Sequence, residues 1–116
     1  MRYPLLVAAA TLALAALPAA AHHGWSSYDE TKPVTLTASF TELSWGNPHG
    51  SAKMRWKDKV WDVILAPVGR MEARGLTRAE IEPGKRFRLT GYFRRDGAAE
   101  MRVERVMVGK KTVELR

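Results

Sequence analysis

Three imidazoles, His22, His23 and His49, are the side chains whose type and placement point most directly to chemistry. If the chain is cut after Ala21, His22 offers a free amino group and an imidazole nitrogen to the same ion. A second imidazole then completes a T-shaped set of three nitrogens, which suits copper. His49, in the turn Asn47-Pro48-His49-Gly50, is the obvious source of that imidazole, and His23 is a further donor. The amino-terminal copper site that needs His at the third position does not apply, because that position is Gly24. Set against this is the plain alternative of a polar chain end with no ligand. Protonated imidazole cannot ligate, so binding of this kind weakens in acid.

Softer donors are also present. Met54, Met71, Met101 and Met107 offer thioether sulfur, and Trp45 or Trp56 could cap a cation through its ring. Met54, Trp56 and Met101 fall on apolar strand faces, however, and core packing is the stronger reading for them. Trp25 to Asp29 follows the histidines directly. Its aromatic pair can pin the terminus to the fold, and Tyr28 and Asp29 could ligate or orient an imidazole. No nucleophile–base pair of interpretable spacing occurs, and no pair of carboxylates stands out for acid–base work. The expected protein is therefore not an enzyme, although an open position on bound copper could support redox chemistry. No catalytic or organic-cofactor residues are assigned.

The 116 residues contain no Cys, which excludes zinc fingers, iron–sulfur sites, disulfide scaffolds and cysteine catalysis. No glycine-rich phosphate loop is present. Residues 1–21 read as a secretory signal peptide. Arg2 is its positive start, Leu5 to Leu17 its uncharged apolar core, and Ala19-Ala20-Ala21 its cleavage signal. The apolar run is shorter than the roughly 20 residues that cross a bilayer. Cleavage after Ala21 leaves 95 residues and changes the formal charge from +7 to +6. The expected location is periplasmic or secreted. Export turns the reading of that charge away from nucleic acid and toward an envelope protein, a glycan or an anionic surface, or simply a soluble basic face.

Residues 22–33 form an amino-terminal segment, and 34–116 read as one barrel of strands. In the run Val34 to Trp45, Val34, Leu36, Ala38 and Phe40 alternate with polar residues; Leu43 and Trp45 then take the opposite parity. A slip of this kind is what a β-bulge produces. Ala52, Met54 and Trp56 mark a second strand, Lys57-Asp58-Lys59 a tight connection, and Trp61, Val63 and Leu65 a third. Val68, Met71 and Leu76 change to helical spacing, and Thr77 to Glu80 matches a capping box. Strands follow at Arg86 to Arg94, Glu100 to Val108 and Thr112 to Leu115, with Asp96-Gly97 as a hairpin turn. Gly91 replaces an apolar residue, which predicts a kink or a close approach of another strand. Three strands, a helical connection and further strands give the order of a small OB-like β-barrel: all-β with one short helical connection.

Several motifs together resemble a family of small secreted bacterial proteins, domain of unknown function 6152. They are His22-His23-Gly24-Trp25 with Tyr28-Asp29, Trp45-Gly46-Asn47-Pro48-His49, Arg70-Met71 with Arg74-Gly75-Leu76, and Pro83-Gly84 with Thr90-Gly91. Lys85 departs from the pattern, where similar sequences often carry Asp after Pro-Gly. The resemblance implies export and a single domain, and brings no activity. The barrel is also similar to small periplasmic OB domains, one class of which binds copper through His, Met and Trp; function does not follow from that likeness. The first expectation is an exported binding protein that holds copper through His22, His49 and His23. The alternative is a non-catalytic module that binds a partner protein, an envelope glycan or an anionic surface. Its basic strand faces would supply Lys53, Arg55, Arg86 and Arg88.

Overall fold

In the computed structural model, which describes residues 24–116, a short 3-10 turn at Trp25–Ser27 precedes seven strands and two helices. The run Val34 to Trp45 divides at Ser39 into β1 (Val34–Ala38) and β2 (Phe40–Ser44). The parity slip lies where pairing with β3 (Ser51–Trp56) shifts between Phe40 and Glu42, so Thr41 is the extra residue of a bulge. β4 (Lys59–Ile64) pairs antiparallel with β3 across a two-residue turn. Lys57 and Asp58 both adopt positive φ there, 49° and 59°, the signature of a type I′ hairpin.

Two short helices follow, α1 (Val68–Ala73) and α2 (Arg78–Ile81). Thr77 donates its backbone N–H to Glu80 Oε1 at 3.0 Å, as the capping box predicts. Lys111 Nζ donates to the same oxygen at 2.8 Å and to the Gly75 carbonyl at 2.7 Å. That bond to Lys111 is the main reason the Glu80 carboxyl lies below the usual carboxylate range. Met71, Leu76 and Ile81 are fully buried, so this connection is part of the core.

β5 (Phe87–Phe93), β6 (Glu100–Val108) and β7 (Lys111–Glu114) complete the sheet. Its order is β1-β5-β6-β4-β3-β2, with β7 also on β6. Because β1 and β2 are successive pieces of one bent segment, this order brings the sheet back on itself. The result is an all-β, OB-like curled barrel. One pairing, β4 with β6 at Asp62 to Ile64, is parallel. Gly91 sits at a register shift in β5, and a Cβ there would run into the Arg102 carbonyl. The expected close approach is thus with β6.

The interior follows the alternation. Leu36, Phe40, Met54, Val63, Leu89, Met101 and Val103 are all buried, and each such side chain contributes about 1.5–3 kcal/mol through its removal from water. One end of the barrel is closed by rings: Trp61 stacks on Phe93 at 4.6 Å, and Trp56 lies 5.5 Å from Phe93.

Candidate functional site

The segment after the histidines is fastened to the outside of the barrel by one backbone bridge and by contacts of two side chains. Asp29 donates its backbone N–H to the Phe93 carbonyl at 2.8 Å, and Tyr28 forms an isolated bridge with Arg94. Arg95 donates its backbone N–H to the Ser27 carbonyl at 3.0 Å. The Tyr28 side chain, with no exposed area, donates its hydroxyl to Glu100 Oε2 at 2.7 Å. The other side-chain contact is the Trp25 ring, with the Arg102 and Arg116 guanidinium groups each 4.3 Å from its centroid.

These contacts set the local electrostatics. Burial pushes the Tyr28 phenol far above its ordinary range, and the Glu100 carboxylate adds to that shift. The Tyr92 phenol rises because it donates to Glu104 at 2.8 Å. Partial burial under the amino-terminal segment lowers the Arg102 guanidinium. Tyr92 points outward from β5, yet is only 8% exposed, because the Trp25 ring meets it edge-on at 6.1 Å.

A row of residues crosses the outer face from this staple toward the histidine loop. Tyr92 pairs with Arg102, Arg102 with Ile64, Ile64 with Ser51, and Ser51 with Ser44. His49 lies two residues before Ser51 and is exposed. Its loop is held at both ends. Trp45 Nε1 donates to Glu72 at 3.1 Å, and Gly50 exchanges backbone bonds with Ala66 and Leu65 at 2.9 and 3.0 Å. Gly50 is packed so closely that a Cβ would lie 2.8 Å from Met71 Cε. Beside this row, over β2, β3 and β4, lies a cleft of about 380 Å³, lined by Ser44, Ser51, Ile64 and Glu100 together with Glu42, Lys53 and Asp62.

His22 and His23 lie outside the described residues, as does the stretch 1–21 read as a leader. Among the described residues no group of three His, Asp or Glu side chains is arranged to hold a metal ion. The soft donors fare differently from one another. Met54 and Met101 are buried in the core and Trp56 packs against it, so the packing reading holds for them; Met71 is buried as well, while Met107 is partly exposed on β6. Trp45 is engaged by Glu72, and Trp56 by Lys57, whose Nζ lies 4.7 Å from the ring centroid. Tyr28 and Asp29 already have partners, Glu100 for the first and Thr31 for the second.

The four basic residues do not form one surface. Lys53 pairs with Asp62 at 2.8 Å. Lys53 and Arg55 belong to β3, Arg86 precedes β5 and Arg88 lies on it, and β6 and β4 stand between those strands. Sequence reasoning missed Arg102, Arg116 and Glu100 as the residues that fix the staple. Their outward parity was visible, but nothing local tells an outward Arg which distant ring it will cover.

The model of a family of unknown function, DUF6152, matches residues 9–102. The chain belongs to the DUF6152 family. That match spans His22, His23, the Trp25–Tyr28 staple, the His49 loop and Arg102, so the DUF6152 region contains the whole outer-face row. No curated protein and no solved structure matches the chain.

Proposed function

We propose that this protein is exported, is cut after Ala21, and holds a copper ion between its new amino terminus and His49. The His22 amino and imidazole nitrogens are two ligands, His49 supplies the third, and His23 is the reserve donor. The observation that carries this reading is the Trp25 staple: its ring is fixed 4.3 Å from Arg102, on the same cross-strand row as Ser51. Two strand spacings separate Arg102 from Ser51, about 10 Å, and His49 lies about 7 Å further along the chain. His22 is three residues before Trp25, a stretch that covers about 10 Å when extended, and the imidazoles add their own length. A cleft bordered by Ser51, Ile64 and Glu100 lies along that row. The protein is read as a binding protein without catalytic residues of its own.

Copper(II) titration of the processed protein tests this, with His49→Ala beside it. One-to-one binding that the variant loses supports the site. Binding no tighter than that of a histidine-containing peptide removes it.

A second reading rests on Arg86 and Arg88. Both are exposed, and with Thr37, Met107 and Thr112 they line a second cleft of about 460 Å³. A non-catalytic module would use them to grip a partner protein, an envelope glycan or an anionic surface. Its mark is salt-sensitive binding that His49→Ala leaves unchanged.

A further inference from the structure

The tip of the β3–β4 hairpin has a composition unlike the rest of the surface. Val60 is 54% exposed, the one large apolar side chain so exposed among the described residues. Arg55 pairs with it across the two strands, and Lys57 and Lys59 flank the turn. None of these three cations forms an ion pair with a described residue. The two lysines instead lie over tryptophan rings, Lys57 Nζ 4.7 Å from the Trp56 centroid and Lys59 Nζ 5.7 Å from that of Trp61. Both rings are half-buried and braced on Phe93, and Trp61 Nε1 donates to the Trp56 carbonyl at 3.1 Å.

Lys57 occupies a left-handed position, φ 49°, where Asn or Gly would fit without strain. Charge is therefore kept at the tip at a conformational cost. Rings with one wet edge, lysines whose stems lie along them, and one exposed aliphatic residue are the chemistry of a membrane–water boundary. Three cations against the single carboxylate of Asp58 are complementary to anionic headgroups.

We propose that this hairpin docks the protein on an anionic lipid surface, with Val60 and the tryptophan edges at the headgroup level and Arg55, Lys57 and Lys59 on lipid phosphates. The proposal is independent of copper and uses a different part of the barrel from Arg86 and Arg88.

The test is co-sedimentation of the processed protein at low salt, its first residue verified, with two kinds of vesicle. One is phosphatidylcholine alone; the other is equal parts phosphatidylcholine and phosphatidylglycerol. Binding is expected only to the second. A lysine close to an anionic surface is worth about 1 kcal/mol, a factor of about five, so Lys57→Ala with Lys59→Ala lowers binding about 30-fold. Val60→Asp weakens it as well, while Arg86→Ala with Arg88→Ala retains it. Circular dichroism verifies that each variant is folded. Equal binding to both vesicles, or no binding to either, overturns the proposal. So does a loss in the arginine variant as large as in the lysine variant, which would return the charge to the second cleft. Lysine-dependent capture of a soluble anionic glycan without vesicle binding also overturns it and makes a glycan the ligand.

Discussion

The guanidinium of Arg102 stands 4.3 Å from the centroid of the Trp25 ring, and through this contact an amino-terminal residue is tied to the first part of β6. Arg102 is also the point where three strands meet in register, since Tyr92 and Ile64 both pair with it. A segment held here is held relative to the sheet as a whole. That gives a tryptophan just after two histidines a positioning role.

Removal of the ring should therefore release the terminus and spare the barrel. Trp25→Ala is expected to weaken copper binding by the processed protein at least about tenfold, the scale at which loss of supporting contacts affects metal sites. Two cation–π contacts are lost with it, at about 0.5–2 kcal/mol each, and urea denaturation should show a destabilisation of that order. Undiminished copper affinity in a folded variant would detach the staple from the site.

Tyr28→Phe isolates one hydrogen bond. The hydroxyl donates to the Glu100 carboxylate from a fully buried ring, and bonds to charged groups contribute about 1.5–3 kcal/mol. Glu100 keeps Arg94 as a partner at 3.4 Å, so a loss near the lower bound is expected in denaturant unfolding. No loss would mean that packing of the ring, and not its hydroxyl, holds the segment.

Two glycines should respond in opposite ways. At Gly91 a methyl group would be driven into the Arg102 carbonyl, whereas at Gly46 nothing lies within 4 Å. Gly91→Ala is expected to lower the melting temperature sharply or prevent folding, and Gly46→Ala to leave it nearly unchanged. Thermal unfolding followed by circular dichroism reads both.

Much of this architecture is visible in the residue pattern, because alternation and turn chemistry are local. Glu100 to Val108 emerges with its own bounds, the slip after Phe40 marks a bulge, and Gly91 marks a close approach. The parallel pairing of Asp62 to Ile64 with Glu100 to Arg102 is not visible, since it joins residues far apart in the chain through backbone groups that every residue carries. The site divides in the same way. His49 in an exposed turn follows from Asn-Pro and Gly around it, but the row from Arg102 to Ser51 exists only once the strands are in register. The basic residues show the limit of composition: Lys53 and Arg88 are both outward and charged, yet the barrel turns them to different sides.

Acid should weaken the fold in a defined window. Hydrogen bonds from Arg94 hold the Asp96 carboxyl at about 2. Those from Lys111 lower Glu80, and those from Thr31 lower Asp29. A carboxyl with a lower value in the folded state contributes fully above its unfolded value, near ~4, and loses that contribution as pH falls through the folded value. The melting temperature is thus expected to hold from neutral pH to about 5 and to decline between about 4 and 2. Asp96→Asn should remove part of the decline. An identical profile in that variant would show that the exposed pair contributes nothing to folding.

Whether the amino group of His22 is itself a ligand is decided by one comparison. Copper(II) affinity is measured for the protein beginning at His22 and for the same protein with that terminal amino group acetylated. Both forms keep all three imidazoles, the staple and the His49 loop, and differ only in whether the His22 nitrogen is a free amine. Acetylation is expected to weaken binding at least about tenfold. Equal affinity in the two forms would contradict the site.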